Sequence, residues 1–252
     1  MSAPIALQLY TVREAMADDA EGVIRKVADL GYVGVETAGF PGTTPEDAAK
    51  LFQELGLEVC SAHMPLPVGE KKQEVLDTMA TIGCTRLISG FGRDQYATLA
   101  GTKEACDKFN EASAVAVENG LTFGIHNHWW EFQEAEGQLV YKAMLEHLSP
   151  DVFFEIDTYW VQTGGCDPVE VVKEMGARAP LLHIKDGPCD QKADMTAIGE
   201  GKVDFPAIVK AAGDNTKWMI VELDRCATDM MDAVVKSYSY LTSNELATGK
   251  KS

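Results

Sequence analysis

The chain has 252 residues, of which 46% are hydrophobic and 24% are charged. Asp and Glu number 39 against 22 Lys and Arg, which gives a formal net charge of −17. This composition excludes a disordered polymer, and the negative charge disfavours nucleic acid and anionic membranes, whose binding depends on Lys and Arg. No apolar run is long enough to cross a bilayer, and the start MSAPIALQLYTVRE lacks the regions of a secretion signal. We therefore expect a cytoplasmic protein with no nucleic-acid or membrane partner.

Short runs of β-branched, aromatic and aliphatic residues recur about every 30 residues, and a segment with helical spacing of apolar residues follows each run. Eight strands are predicted, at 5–10, 34–37, 57–62, 86–89, 121–126, 152–157, 181–185 and 218–222. The residues between them carry the signals of helix ends. Thr44 and Pro45 mark a helix start, and Gly31 and Gly56 lie where helices are expected to stop.

Eight consecutive βα units without a linker predict an α/β protein with a single (β/α)8 TIM barrel. The barrel is expected to span 1–246, followed by a flexible tail over 247–252. An open Rossmann-type sheet is the rival, but such a sheet requires a GxGxxG turn after its first strand. Here the first strand continues into QLYTVRE, so the barrel is favoured.

Ionisable residues gather at the ends of the predicted strands, which form the working face of a barrel. They are Glu36, His63, His126, His128, Asp157, His183 and Glu222. Burying such groups is costly unless they are paired or bind a cation, so their concentration predicts one divalent metal ion.

Three of these residues end strands that are neighbours in a barrel, namely Asp157, His183 and Glu222. Two carboxylates and one imidazole without a thiolate suit Mn²⁺ best, with Mg²⁺, Co²⁺ or Zn²⁺ as other candidates. The alternative is purely structural. In that case Asp157 caps a turn, His183 is a core histidine, and Glu222 pairs with Lys185 or Arg225.

The same segments resemble the sugar phosphate isomerase/epimerase superfamily, the xylose-isomerase-like barrels that bind one divalent metal. The matching segments cover nearly the whole chain and are QLYTVRE, GVETAGFPG, SAHMPL, GIHNHWWEF, EIDTYWVQTGG, LLHIKDG and IVELD. The resemblance implies a metal held by Glu, Asp, His and Glu from strands five to eight. Asp157, His183 and Glu222 match the last three of these positions.

The strand-five position departs from the family pattern, because it reads His126-Asn127-His128-Trp129-Trp130-Glu131. We take Glu131, folded back from the loop, as the fourth metal ligand, with His126 as the alternative. If Glu131 binds the metal, His126 and His128 are free to act as acid or base. A hydrogen-bonded turn is the structural interpretation of the same stretch.

The resemblance implies sugar isomerase or epimerase chemistry, in which a proton beside a carbonyl is removed to form an enolate. Glu222, His126, His128 and Lys185 are the candidate catalytic residues, and Lys185 could instead form an ion pair with Asp157 or Glu222. Sugar-binding candidates are Tyr10, Glu36, His63, Trp129 and Trp160.

The acidic loops KDGPCDQKAD and ELDRCATD favour an uncharged sugar as the substrate. A lyase or dehydratase acting on a 3-keto-glycoside or inosose is the runner-up, and an inactive sugar-binding barrel is a third hypothesis. A homodimer is compatible with this interpretation, although no interface stripe marks it in the sequence.

Overall fold

The computed structural model describes residues 2–250 and shows a closed barrel of eight parallel strands. We number the barrel strands β1 to β8 along the chain. They are β1 Ile5–Gln8, β2 Gly34–Thr37, β3 Glu58–His63, β4 Arg86–Ser89, β5 Thr122–His126, β6 Phe153–Asp157, β7 Leu181–Ile184 and β8 Trp218–Val221. Each strand pairs with the strands before and after it in sequence, and β1 pairs with β8 to close the ring. The predicted TIM barrel is confirmed.

Helices connect the strands and surround the barrel. They are α1 Arg13–Leu30, α2 Pro45–Leu55, α3 Lys72–Thr81, α4 Leu99–Glu118, α5 Val140–His147, α6 Thr158–Thr163, α7 Pro168–Met175, α8 Phe205–Ala212 and α9 Met230–Ser243. A short antiparallel pair, Glu134–Ala135 with Gln138–Leu139, lies in the connection between β5 and α5. No helix within residues 2–250 combines the length and the apolar character that a membrane crossing requires.

The helix ends follow the sequence signals. The Thr44 side chain accepts a hydrogen bond from the backbone of Asp47 at the start of α2, and Pro45 is the first residue of that helix. Gly31 and Gly56 end α1 and α2 with φ of 105° and 69°, a left-handed conformation that glycine adopts without a side-chain clash. Local sequence signals therefore mark the start of α2 and the ends of α1 and α2.

The interior of the barrel has an apolar floor with a polar layer above it. The floor cluster contains Ala6, Cys60, Ile88, Leu181, Trp218 and Ile220. A β-carbon on Gly34 would lie 2.5 Å from the Trp218 ring, so this glycine leaves room for the indole. Because strand side chains alternate, residues two positions further on share the same face. Gln8, His183 and Glu222 follow Ala6, Leu181 and Ile220 in this way, and they begin the polar layer.

The C-terminal segment makes backbone contacts with the body of the barrel. Ala247 is buried, the Thr248 carbonyl accepts a hydrogen bond from the Ile5 N–H at 3.0 Å, and the Thr248 N–H donates to Ala3 at 2.8 Å. The Lys250 N–H donates to the Gly31 carbonyl at 2.8 Å. These contacts join residues 247–250 to α9, to β1 and to the end of α1, and the flexibility expected of the tail stays a prediction. Residues 251 and 252 of the predicted tail lie outside the described residues.

Candidate metal centre and sugar-binding cleft

Four side chains at the C-terminal mouth of the barrel bring donor atoms within 4.8 Å of one another. They are His126 from β5, Asp157 from β6, His183 from β7 and Glu222, which directly follows β8. Asp157 and His183 are fully buried, and His126 and Glu222 are exposed by only 6% and 5%. Neighbouring strands supply the last three residues, as the sequence predicts.

Lys185 lies within ion-pair distance of two of the converging atoms, but none of the four has a hydrogen bond of good geometry among the residues the structure describes. The four atoms are His126 Nε2, Asp157 Oδ2, His183 Nδ1 and Glu222 Oε2. Unsatisfied polar atoms that are fully buried are rare in folded proteins, and each one requires an explanation. Two carboxylates and two imidazoles aimed at one point fit a divalent cation with oxygen and nitrogen ligands.

The backbone at the β5 and β6 ends holds Asp157 in place. Asn127 Oδ1 accepts a hydrogen bond from the Asp157 N–H at 2.9 Å, and Asn127 Nδ2 donates to the Asp157 carbonyl at 3.2 Å. Asp157 Oδ1 caps α6 by accepting from the Trp160 N–H at 2.9 Å. Asp157 therefore caps α6, as a purely structural role would require, and its Oδ2 still faces the other donor atoms.

Glu131 lies apart from the four donor atoms, contrary to the sequence expectation. Its Oε2 accepts a hydrogen bond from the His128 backbone N–H at 2.8 Å, and its Oε1 is 4.0 Å from His128 Nδ1. The carboxylate therefore supports the turn that follows β5. The structure brings His126 into the group in its place, because His126 is the last residue of β5 and lies on the strand itself.

Lys185 provides a positive charge beside this centre. Its Nζ lies 2.7 Å from Glu222 Oε2, and 3.1 Å from both Asp157 Oδ2 and Asp224 Oδ2. The hydrogen-bond geometry is good only towards Asp224. The ion-pair alternative for Lys185 is therefore observed, and Asp224 is a partner that the sequence reasoning missed.

The charges of these groups depend strongly on one another. Burial would lower the pKa of Lys185, but the carboxylates of Asp157 and Glu222 hold it above 10.5, so this ammonium stays charged. Burial opposes ionisation of Glu222, yet Lys185 and His183 keep the pKa of that carboxyl well below its usual range. Burial, reinforced by His183 and His128, lowers the pKa of His126 well below its usual range. His126 is therefore neutral, which is the form that ligates a metal.

A second polar group lies beside and below the first. It consists of Glu36, His63, Glu155 and His183, and both glutamates are fully buried. His63 Nε2 lies 2.6 Å from Glu155 Oε2. Burial alone would lower the pKa of His63, but Glu36 and Glu155 raise it to about 10. Burial and the neighbouring Glu36 raise the pKa of Glu155 to about 8.

The sequence contained a signal for Glu155 that was missed. Glu155 precedes Asp157 by two residues in the strand FFEID, so both side chains lie on the same face of β6. Glu36 was expected to bind the sugar, but it is fully buried and is not among the cleft-lining residues. Its carboxylate faces His183 instead, with Oε2 at 2.6 Å from Nε2.

A cleft of about 590 Å³ adjoins the four donor atoms, and His126 and Glu222 of this group line it. Its lining residues include Tyr10, His63, His126, His128, Lys185 and Glu222 from the candidate site. Trp130 forms part of the wall and stacks on His128, with ring centroids 4.1 Å apart. The sequence reasoning chose Trp129 and Trp160, which do not line the cleft. Trp130 was missed because the chain turns after β5, so strand alternation no longer shows which tryptophan faces inwards.

A second cleft of about 520 Å³ adjoins the first and shares Asp224 and Arg225 with it. The arginines there are already engaged. Arg225 donates to the Ala193 and Gln191 carbonyls, and Arg13 donates to the Tyr10 and Asp224 carbonyls.

The loop after β7 wraps around the carboxylate of Asp186. Four backbone N–H groups donate to it at 2.8–3.2 Å, from Gly187, Gly199, Gly201 and Val203. A β-carbon on Gly201 would lie 2.1 Å from Asp186 Oδ1, so the loop fits closely around this side chain. Loops after strands seven and eight are a common phosphate site in such barrels. Here the protein's own carboxylate takes these N–H groups.

Comparison with known proteins places the fold in a family. A family model described as "Xylose isomerase-like TIM barrel" matches residues 24–242. No match was found among curated protein sequences. A sugar phosphate isomerase/epimerase from Parabacteroides distasonis is 27% identical, with a TM-score of 0.84, and the match covers 98% of this chain and 100% of that one.

Two more distant structures share the fold. The probable 3-DHS dehydratase AsbF from Bacillus anthracis is 12% identical with a TM-score of 0.78, and the match covers 95% of this chain and 98% of that chain. A D-allulose 3-epimerase from Methylomonas sp. is 15% identical with a TM-score of 0.69, covering 96% and 98% of the two chains.

Proposed function

The chain belongs to the xylose isomerase-like TIM barrel family, and we propose that it is a divalent-metal-dependent sugar isomerase or epimerase that removes a proton beside a carbonyl. The observation that carries this proposal is the convergence of four buried donor atoms within 4.8 Å of one another, from His126, Asp157, His183 and Glu222. His126 and Glu222 line a cleft large enough for a sugar. A sugar-processing neighbour, 27% identical over its whole length, supports the same assignment.

These four residues would hold a divalent metal such as Mn²⁺ or Zn²⁺, because the two carboxylates suit Mn²⁺ and the two imidazoles suit Zn²⁺. When bound, a divalent ion polarises a sugar carbonyl and so makes the neighbouring carbon acid easier to deprotonate. Lys185 keeps its charge at neutral pH and lines the cleft, so it can donate a hydrogen bond to a substrate oxygen. This donation would stabilise negative charge that develops on the oxygen.

Two-base epimerisation requires proton-transfer groups on opposite sides of the substrate. Glu222 has a second carboxylate oxygen besides the one in the donor group, and it lines the cleft at the end of β8. His128 follows β5 and also lines the cleft, while His126 belongs to the donor group. Two strands, β6 and β7, separate β5 from β8. Glu222 and His128 therefore approach a bound sugar from different sides, as an epimerisation requires.

An uncharged sugar is the substrate class that fits the mouth best. The backbone N–H groups after β7 are occupied by Asp186, and the arginines Arg13 and Arg225 donate to backbone carbonyls. Lys185 is surrounded by three carboxylates. A phosphate group would find few free cations here, whereas the His128 and Trp130 rings offer a surface for sugar C–H groups.

A lyase or dehydratase remains the second candidate, and the adjoining cleft favours it. A 3-keto-glycoside has a leaving group that must lie beyond the sugar, and the cleft beside Asp224 and Arg225 provides that space.

The cytoplasmic location and the homodimer stay predictions of the sequence.

Solvent deuterium exchange tests the proposed function. Protein loaded with Mn²⁺ is incubated in D₂O with a panel of ketohexoses, inososes and 3-keto-glycosides, and NMR follows the proton beside the carbonyl. We expect exchange with at least one sugar, and its loss in Asp157→Asn. New stereochemistry identifies an epimerase, whereas release of the aglycone identifies the lyase. Absence of exchange with every sugar would contradict both and favour a sugar-binding barrel.

A further inference from the structure

A hydrogen-bonded chain of side chains lies beneath the candidate metal centre. Gln8 Nε2 donates to Glu36 Oε2 at 2.6 Å, and the same oxygen lies 2.6 Å from His183 Nε2. All three side chains are fully buried. They come from β1, β2 and β7, so this contact crosses the interior of the barrel. It is separate from the cleft in which a substrate would bind.

The contact holds a proton on the His183 nitrogen that faces away from the centre. Both nitrogens face carboxylates, because Nε2 lies 2.6 Å from Glu36 Oε2 and Nδ1 lies 2.8 Å from Glu222 Oε2. Nδ1 and Glu222 belong to the donor group, so a metal bound there would take the place of a proton on Nδ1. The proton that remains on Nε2 then donates to Glu36. Glu36 thus leaves His183 with its free nitrogen on the side where a metal would bind.

Glu36 is itself held in place from the opposite side. Gln8 and Glu36 are paired in register between β1 and β2. Gln8 Oε1 accepts a hydrogen bond from the Tyr10 N–H at 3.0 Å, which fixes the orientation of the Gln8 amide. Its Nε2 group then points at Glu36, so the carboxylate cannot turn away from His183 without losing two buried hydrogen bonds.

We propose that Glu36, oriented by Gln8, is a positioning residue that fixes the tautomer and ring orientation of His183 for metal binding. The inference rests on the proposed function, because it requires His183 to be a ligand. Carboxylates that accept the second N–H of a metal-bound histidine raise its basicity, and their loss costs about 10–100-fold in metal affinity. Glu155 is a poorer partner for His183, since its Oε2 lies 3.2 Å from Nε2 and 2.6 Å from His63.

Metal affinity in matched variants tests the inference without any substrate. Mn²⁺ is titrated into wild-type protein and into Glu36→Gln, Glu36→Leu and Gln8→Leu, with free Mn²⁺ measured by electron paramagnetic resonance. Ser61→Ala is the control, because Ser61 is buried and paired in register with Glu36, and its hydroxyl lies beside Cys60 Sγ at 3.4 Å. Glu36→Gln has nearly the same shape as the wild type, so it keeps the test valid if Glu36→Leu fails to fold.

We expect the dissociation constant to rise about tenfold in Glu36→Gln and up to about 100-fold in Glu36→Leu, with Ser61→Ala unchanged. Electron spin echo envelope modulation of bound Mn²⁺ measures magnetic couplings to ligand nitrogens. A general loss of protein stability would not alter these couplings. At saturating Mn²⁺ the coupling from one of two imidazoles should weaken in Glu36→Leu.

Two results would overturn the inference while leaving the proposed function intact. One is an unchanged affinity in folded Glu36→Gln and Gln8→Leu. The other is a second equivalent of Mn²⁺ in the wild type that disappears with Glu36, since Glu36 would then be a ligand itself. A wild type that binds no Mn²⁺ would overturn the proposed function and, with it, the inference.

Discussion

Replacing Lys185 by Met removes the positive charge from a buried group of carboxylates. The ammonium lies 2.7–3.1 Å from Glu222, Asp157 and Asp224, and the Lys185 side chain is only 1% exposed. Removing one partner of a buried ion pair costs about 3–5 kcal/mol, because the opposite charge remains buried without compensation. We expect the free energy of unfolding of the metal-free variant to fall by this amount at pH 8.

The pH dependence of this loss follows from the remaining carboxyls. Burial already raises the pKa of Asp157 and of Asp224, and removal of the ammonium raises both further. As the pH falls these carboxyls take up protons and no longer need a counter-charge. The stability difference between variant and wild type should therefore shrink from pH 8 to pH 5. Mn²⁺ should stabilise the variant more than the wild type, since it replaces the lost charge.

Urea unfolding in EDTA at several pH values measures these differences. Lys50→Met is the control, because Lys50 forms a solvent-exposed pair with Asp47 and exposed ion pairs contribute little to stability. A free energy of unfolding for metal-free Lys185→Met within about 1 kcal/mol of the wild-type value at pH 8 would show that Lys185 does not compensate these carboxylates. Such a difference falls well short of the cost of an uncompensated buried charge.

Three further predictions concern the loop after β7, the lower polar group and the cleft wall. Asp186→Ala should lower the free energy of unfolding by about 3 kcal/mol or more in urea titrations, because four backbone N–H groups lose their acceptor; a loss below about 1 kcal/mol would contradict the contacts. The raised pKa values of His63, about 10, and Glu155, about 8, should make the metal-free protein less stable as the pH rises from 7 to 10. The stabilisation from His63 is complete below about pH 6.5 and disappears as the pH rises through about 10, and the stabilisation from Glu155 disappears as the pH rises through about 8. A stability profile that is flat in the wild type, or equally steep in His63→Gln, would contradict this role of the pair. Trp130→Ala should raise KM for the sugar about tenfold with a smaller change in kcat, as one lost aromatic contact of about 1.5 kcal/mol implies; a change in kcat alone would place Trp130 outside the binding surface.

The fold could be predicted because each βα unit carries its own local signals. The order of apolar strand runs, together with Thr44, Pro45, Gly31 and Gly56, defines the ends of elements without reference to the rest of the chain. The contacts of the C-terminal segment carry no such local signal. The backbone partners of Thr248 and Lys250 are Ala3, Ile5 and Gly31, more than 200 positions away in sequence.

The candidate site was predictable where strand position alone decides it. Asp157, His183 and Glu222 lie at or just after the ends of adjacent strands, and alternation places them on the inner face. The choice between His126 and Glu131 depended on the path of the turn after β5. That path is set by the hydrogen bond from the His128 N–H to Glu131, which no sequence period reveals. Glu36 was recognised as unusual, but its partner His183 lies 147 residues away along the chain.

The metal content of the purified protein directly tests whether the mouth of the barrel binds a divalent ion. Wild type and Asp157→Ala are dialysed against Mn²⁺ and then against metal-free buffer, and elemental analysis gives the metal bound per chain. We expect about one equivalent of divalent metal in the wild type and its loss in the variant, since Asp157 Oδ2 is one of the four converging donor atoms. A wild type that retains no metal, or an Asp157→Ala protein that retains as much as the wild type, would contradict this expectation.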